Sequence, residues 1–202
     1  MATTRSGAVA MVSLGVVMMS VGPARSDALT APDTTVVLHV TDRASVPAEV
    51  LTEAKGLVGL VYRAIAVEIV WTQGAAALAP ADGALHFDVL MLAKDAVRHK
   101  CLENQLGDDV LGSASEPARR AHVFFGRIAN RATLTSGDVS LLLGFVIAHE
   151  VGHLLLPAFS HSRDGLMRAH WQGRLSSMPG FTDAQGTTIR ARLATRMHEP
   201  TE

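Results

Sequence analysis

The chain has 202 residues, with 18 Lys and Arg set against 19 Asp and Glu, a formal charge of −1 and a pI near 6.8. That balance gives no electrostatic basis for nucleic acid or an anionic membrane surface as the main partner. A hydrophobic share of 48 % is enough for one domain-sized core, and a single cysteine, Cys101, excludes an internal disulfide.

The first 26 residues carry the pattern of an export signal. Met1–Gly7 holds one charge, Arg5, and Ala8–Gly22 runs without any. The stretch is too short for a membrane span, which needs about 20 apolar residues, and small residues at Ala24 and Ser26 suit cleavage before Asp27. No later segment is long and apolar enough to span a bilayer. A secreted or periplasmic protein is expected, with residues 27–202 as one domain and no stable membrane insertion.

Thr34–Thr41 is β-branched and bounded by Pro32 and Asp42, the signature of a strand. Ser45-Val46-Pro47 then opens a helix, with serine as cap and proline in the first turn. Apolar residues at helical spacing carry it from Pro47 to Ile65. Val67–Thr72 alternates as a second strand, and Gly74–Gly83 is an Ala/Pro/Gly loop. Leu85–Leu92 is a third strand, apolar enough for burial on both faces. Ala93–Pro117 shows no clear period and is expected to be a functional loop. Ala121–Arg127 is a fourth strand.

The following helix is apolar nearly all round, which places it in the middle of the protein. Thr135 with Asp138 fits its start, and Pro157 its end, because the residue before proline is pushed out of helical geometry. A last surface helix spans about Thr182–Arg196. Cys101 is expected to be a buried small hydrophobe.

The central helix carries His149-Glu150-Val151-Gly152-His153. Residues four apart share one helix face, so both imidazoles can reach one metal ion, and the adjacent carboxylate is placed to take a proton from a metal-activated water. Two histidines do not complete a catalytic zinc site, which uses three protein ligands and keeps a fourth position open. The only glutamates after His153 are Glu199 and Glu202, so the third ligand is sought among His161, Asp164, His170 and Asp183. His161 leads, since it follows the Pro157 break by a short loop and imidazole suits zinc; Asp164 is next.

His149-Glu150-Val151-Gly152-His153-Leu154-Leu155-Leu156, then His161-Ser162, then Gly165-Leu166-Met167-Arg168-Ala169-His170-Trp171, resembles the metzincin-type zinc peptidases. The likeness is strongest to small exported bacterial proteins with the pattern HExGHLLL, HS, GIMRAxW, and it covers residues 149–171. It implies an α+β, zincin-like catalytic domain. Such a domain has a small twisted mixed sheet of about four strands, a backing helix, a central active-site helix, a methionine turn at Met167 and a C-terminal helix. It implies a secreted zinc-dependent endopeptidase with one catalytic Zn²⁺ on His149, His153 and His161, and Glu150 as general base. It also implies that Ala121, His122, Val123, Phe124 and Phe125 form the sheet edge to which a peptide or protein substrate adds as a strand. The protein is expected to act as a monomer. An exported zinc-binding protein without turnover is the alternative.

Two departures from the family pattern stand out. Leu156 and Phe159 occupy the places of the signature glycine and third histidine, so His161 arrives two residues late. Ala169 stands where a tyrosine often follows the turn methionine, and the only tyrosine is Tyr62.

Overall fold

The computed structural model describes residues 34–74, 84–170 and 173–197. The expected export signal, Trp171 and most of the Gly74–Gly83 loop lie outside the described residues. Ten elements follow in chain order: β1 (Thr34–Asp42), α1 (Ala48–Arg63), β2 (Val67–Gln73), β3 (Leu85–Met91), α2 (Lys94–Asn104), β4 (Gly112–Ser115), β5 (Arg120–Val123), α3 (Phe125–Leu134), α4 (Val139–Leu155) and α5 (Asp183–Met197).

Five strands form one mixed sheet in the order β2-β1-β3-β5-β4. All neighbouring pairs are parallel except β4 with β5, where Gly112 faces Val123 and Ser113 faces His122. The β-branched runs of β1 and β2 pair in register from Thr34 with Val67 to Val40 with Gln73. Alternate residues of a strand point to opposite faces. Val36, Leu38, Val40, Phe87, Val89, Ala121 and Val123 therefore meet α1 and α4 in one apolar core. The other face carries His39, His86 and Asp88, all buried. There His39 Nε2 lies 2.8 Å from His86 Nδ1, Thr72 Oγ1 lies 2.7 Å from His39 Nδ1, and Arg120 pairs with Asp88 at 2.8 Å.

Several boundaries differ from the sequence expectation. The sheet has five strands rather than about four, because the segment expected to be a loop, Ala93–Pro117, contains both α2 and β4. The expected strand Ala121–Arg127 ends at Val123, and its second half opens α3. Ser45 is not the cap of α1. That place falls to Pro47 with no side-chain bond, while Asp42 accepts from the backbone N–H groups of Ala44 and Val46 at 2.8 Å each. Thr135 closes α3 rather than opening the next helix. Asp138 caps α4, its carboxylate accepting from Ser140 N at 2.8 Å and Leu141 N at 3.1 Å. A short acceptor one position outside the helix satisfies donors that have no partner within it.

α4 is buried over most of its length and stops at Leu155, with Leu156 extended before Pro157 as expected. Cys101 is buried against Leu92, Val97 and Phe124, as its apolar character suggested. Among the described residues, no helix is long and apolar enough to cross a membrane.

Candidate metal centre and cleft

His149 and His153 project from the same face of α4, four residues apart, and the chain beyond Pro157 folds back to bring His161 beside them. His153 Nε2 lies 3.1 Å from His149 Nε2 and 3.0 Å from His161 Nε2. The rings of His149 and His153 meet edge to face, as do those of His153 and His161, at 4.7 Å between centroids in each pair. These three side chains are the one group of metal-ligating type gathered within 4.8 Å among the described residues. Asp164, His170 and Asp183, the other candidates for a third ligand, do not join it. Asp164 offers its backbone carbonyl to Ser162 Oγ at 2.7 Å, and Asp183 sits in the first turn of α5.

The donor set fits a zinc ion. The Leu166 carbonyl lies 2.9 Å from His149 Nδ1 and accepts its proton, which leaves the Nε2 lone pair facing the cluster. His153 Nδ1 faces Ser160 Oγ at 3.4 Å, at the limit of a hydrogen bond. Nitrogens 3.0–3.1 Å apart are close to the roughly 3.3 Å kept by two imidazoles bound at about 2.0–2.1 Å in a tetrahedral site. Burial, together with the neighbouring histidines, holds His153 down to about 4. His149 is lowered too, mainly by burial, against the opposing pull of the Leu166 bond. At neutral pH both are then uncharged, the form that binds a metal.

Glu150 points from α4 toward β4 and is buried, which pushes its carboxyl up to about 8. It lies where a side chain at Gly112 would go: a Cβ there would stand 2.8 Å from Glu150 Cγ and 2.9 Å from Oε1. Met167 is fully buried beneath the helix, and a Cβ on Gly152 would stand 2.6 Å from its Sδ. The glycine between the two helical histidines therefore makes room for the methionine floor. The turn that carries Met167 is tied to the His161 loop by Ser162 N, which donates to Met167 O at 2.8 Å.

A cavity of about 680 Å³ opens over the three histidines. β4 supplies one wall through Gly112, Ser113 and Ala114, while Leu142, Phe145 and Val146 of α4 with Leu175 make an apolar end. Arg168, Ala169 and His170 line the side beyond the methionine turn. Tyr62 is not part of it. That residue is fully buried on α1, and its hydroxyl donates to Ala148 O at 3.0 Å.

The expected substrate strand requires correction. β5 has β3 on one side and β4 on the other, so Ala121, His122 and Val123 are not at an edge. Ala121 and Val123 are fully buried in the core, Phe124 is buried on α2, and Phe125 begins α3. His122 lies on the face away from α4, where burial and then the charges of Lys100 and Arg120 hold it down to about 4. The sheet edge at the cleft is β4 instead.

Sequence reasoning missed three contributors: β4, Gly112 and the buried Gln185 of α5. Gly112 could have been flagged only by knowing that its strand crosses Glu150.

No family model matches the chain, and no curated protein does. Among solved structures it is similar to the crystal structure of a zinc-dependent peptidase from Methanocorpusculum labreanum (strain Z). The two share 15 % identity with a TM-score of 0.43, over 77 % of this chain and 99 % of that one.

Proposed function

We propose that the protein is an exported zinc-dependent endopeptidase of metzincin-like design. The observation that carries this reading is the convergence of three imidazole Nε2 atoms beside a buried glutamate, at the foot of an open cleft. His149, His153 and His161 would hold one Zn²⁺, which when bound supplies Lewis-acid activation of a water and of the scissile carbonyl.

The protein's own groups do the rest. Glu150 accepts the proton of the attacking water on a carboxylate oxygen and passes it to the leaving amine nitrogen. Burial makes that carboxylate an unusually strong base, and a nearby dication favours its ionised form, so the two effects together suit proton transfer near neutral pH. The free edge of β4 offers backbone groups to an extended peptide, and the apolar end of the cleft takes a side chain next to the cleaved bond. The expected export signal makes the periplasm or the exterior the site of action, on peptide or protein substrates, with the chain working as a monomer.

The test is cleavage of casein and a broad peptide library by the purified protein with its zinc content measured. Wild type should cleave and carry one zinc. Chelation should abolish cleavage and added zinc restore it, while Glu150→Ala should keep the metal and lose turnover. One zinc bound with no cleavage of any peptide would instead indicate a binding protein.

A further inference from the structure

Gln185 is a polar residue on an otherwise ordinary surface helix, yet it is buried, with only 9 % of its surface exposed. Its Oε1 accepts from Thr182 N at 3.0 Å, and its own backbone N–H donates to Thr182 Oγ1 at 3.3 Å. That reciprocal pair is a capping box, the standard way to satisfy the first donors of a helix. Either Gln or Glu can fill the third helical position of such a box, because only the side-chain acceptor is used.

Here the other half of the amide is used as well. Gln185 Nε2 donates to Ser160 O at 3.4 Å and to Ser162 Oγ at 3.1 Å. Ser160 and Ser162 flank His161, the ligand that arrives late in the sequence and comes from a loop rather than from α4. Ser162 N is in turn bonded to Met167 O, and Ser160 Oγ faces His153 Nδ1. The loop is thus held on one side by the methionine turn and on the other by α5, whose Arg192 donates to Leu156 O at its start and whose Gln185 amide holds the residues beside His161.

We infer that Gln185 is the positioning residue for the third metal ligand: its amide NH₂ holds the Ser160 carbonyl on one side of His161 and the Ser162 hydroxyl on the other, and so sets the affinity of the site for zinc. This rests on the three-histidine reading above. A carboxylate cannot replace it, since glutamate is acceptor-only and would face the Ser160 carbonyl with like charge. The cap needs only an acceptor at this position, whereas the clamp needs a donor.

The experiment uses the full mature chain with Gln185→Glu, Gln185→Leu and Thr182→Ala. Zinc affinity is measured by competition with a chromophoric chelator, and the visible spectrum of Co²⁺ in its place is compared with that of His161→Ala. Expected are a roughly 10–100-fold loss of zinc affinity in both Gln185 variants, the range typical of outer groups that orient metal ligands. The Co²⁺ spectra of those variants should move toward that of His161→Ala. Gln185→Glu keeps the cap, so its metal-free melting temperature should stay above that of Gln185→Leu, which loses cap and clamp together, and Thr182→Ala should lose stability while keeping zinc affinity. Wild-type affinity in both Gln185 variants overturns the proposal while leaving the metal reading intact. An equal loss in Thr182→Ala overturns it too, since helix capping alone would then be responsible. A wild-type chain that takes up no zinc overturns the metal reading itself, and this proposal with it.

Discussion

Glu150 and Gly112 occupy a single space: the side chain of one, through Cγ and Oε1, fills the position that any side chain on the other would need, at 2.8–2.9 Å. The edge strand and the Glu150 carboxylate are therefore coupled by contact, and the absence of a Cβ on Gly112 sets where the carboxylate stands. Gly112→Ala should push Glu150 away from its place or push β4 outward. His122 O, 3.0 Å from the same Cβ, closes the easier way out. A misplacement of this size should lower kcat by roughly 100-fold, with stoichiometric zinc retained. Steady-state kinetics with metal analysis of the same preparation checks it. A variant with wild-type kcat would show that the carboxylate position is not limiting.

The metal-free protein should have a bell-shaped dependence of stability on pH. His153 and His122 are each held down to about 4, mainly by burial, and His149 is lowered as well. Between about 4 and the usual 6.5 the unfolded chain binds protons that the folded one refuses, so stability falls as pH drops through that window. Glu150 acts in the opposite sense. With its folded value pushed from 4.5 up to about 8, the folded chain keeps a proton that the unfolded chain has released, and stability falls as pH rises through that range. Three histidines outweigh one glutamate on the acid side, and on the alkaline side Glu150 acts alone, so the optimum should fall near pH 6.5. Melting curves of chelator-treated protein from pH 5 to 9 test this, and Glu150→Gln should flatten the alkaline limb. Adding zinc should raise the melting temperature, because it binds the folded chain and not the unfolded one. An alkaline limb unchanged in Glu150→Gln would refute the assignment.

The legible parts of the site were those that depend on spacing alone. His149, Glu150 and His153 could be placed because a helix has a fixed period, and His161 because few metal-binding side chains remain after them. β1, α1, β2, β3 and α4 were visible for the same reason: each has a long apolar or β-branched pattern. β4 was not visible because Gly112-Ser113-Ala114-Ser115 has no strand-forming side chain, and it is a strand only through pairing with β5. α2 buries just Val97 and Cys101, too narrow a stripe to register as a period. In the run Val123-Phe124-Phe125 the apolar sequence continues while the backbone changes from strand to helix, so hydrophobicity alone runs past the boundary. Thr182-Asp183-Ala184-Gln185 carries the signature of a capping box, but the contact of Gln185 with the His161 loop has none, because it reaches a loop 23–25 residues earlier in the chain.

Tyr62 supports α4 from behind. Its hydroxyl donates to Ala148 O, one residue before His149, and its ring meets Phe181 edge-on at 5.1 Å. Complete burial raises its pKa, so it remains a neutral donor. Tyr62→Phe removes one buried hydrogen bond and keeps the ring, which should cost about 1 kcal/mol. Denaturant titration checks the size of the loss, and kcat should stay within about twofold of wild type, since the hydroxyl does not face the cleft. A large loss of turnover with unchanged stability would mean that the hydroxyl takes part in the reaction.

The late arrival of His161 has a backbone explanation that can be tested at Phe159. Where the metzincin signature has glycine, Leu156 is extended at φ −106° and ψ 158°, so the chain does not turn at the end of α4. The left-handed residue comes later, at Phe159 with φ 61°, and the chain needs the extra length before His161 can come back under the rings. For a residue with a Cβ that conformation costs roughly 1–2 kcal/mol, and Phe159 is 99 % exposed, so no packing offsets the cost. Phe159→Gly relieves it at the expense of roughly 0.5–1 kcal/mol of added freedom in the unfolded chain. A net gain of about 0.5 kcal/mol is expected, together with unchanged or tighter zinc binding, because the loop that carries His161 then sits without strain. Chemical denaturation of the zinc-bound and metal-free forms measures both. If glycine destabilises each form, Phe159 makes a stabilising contact that outweighs its strain, and the two-residue delay needs another cause.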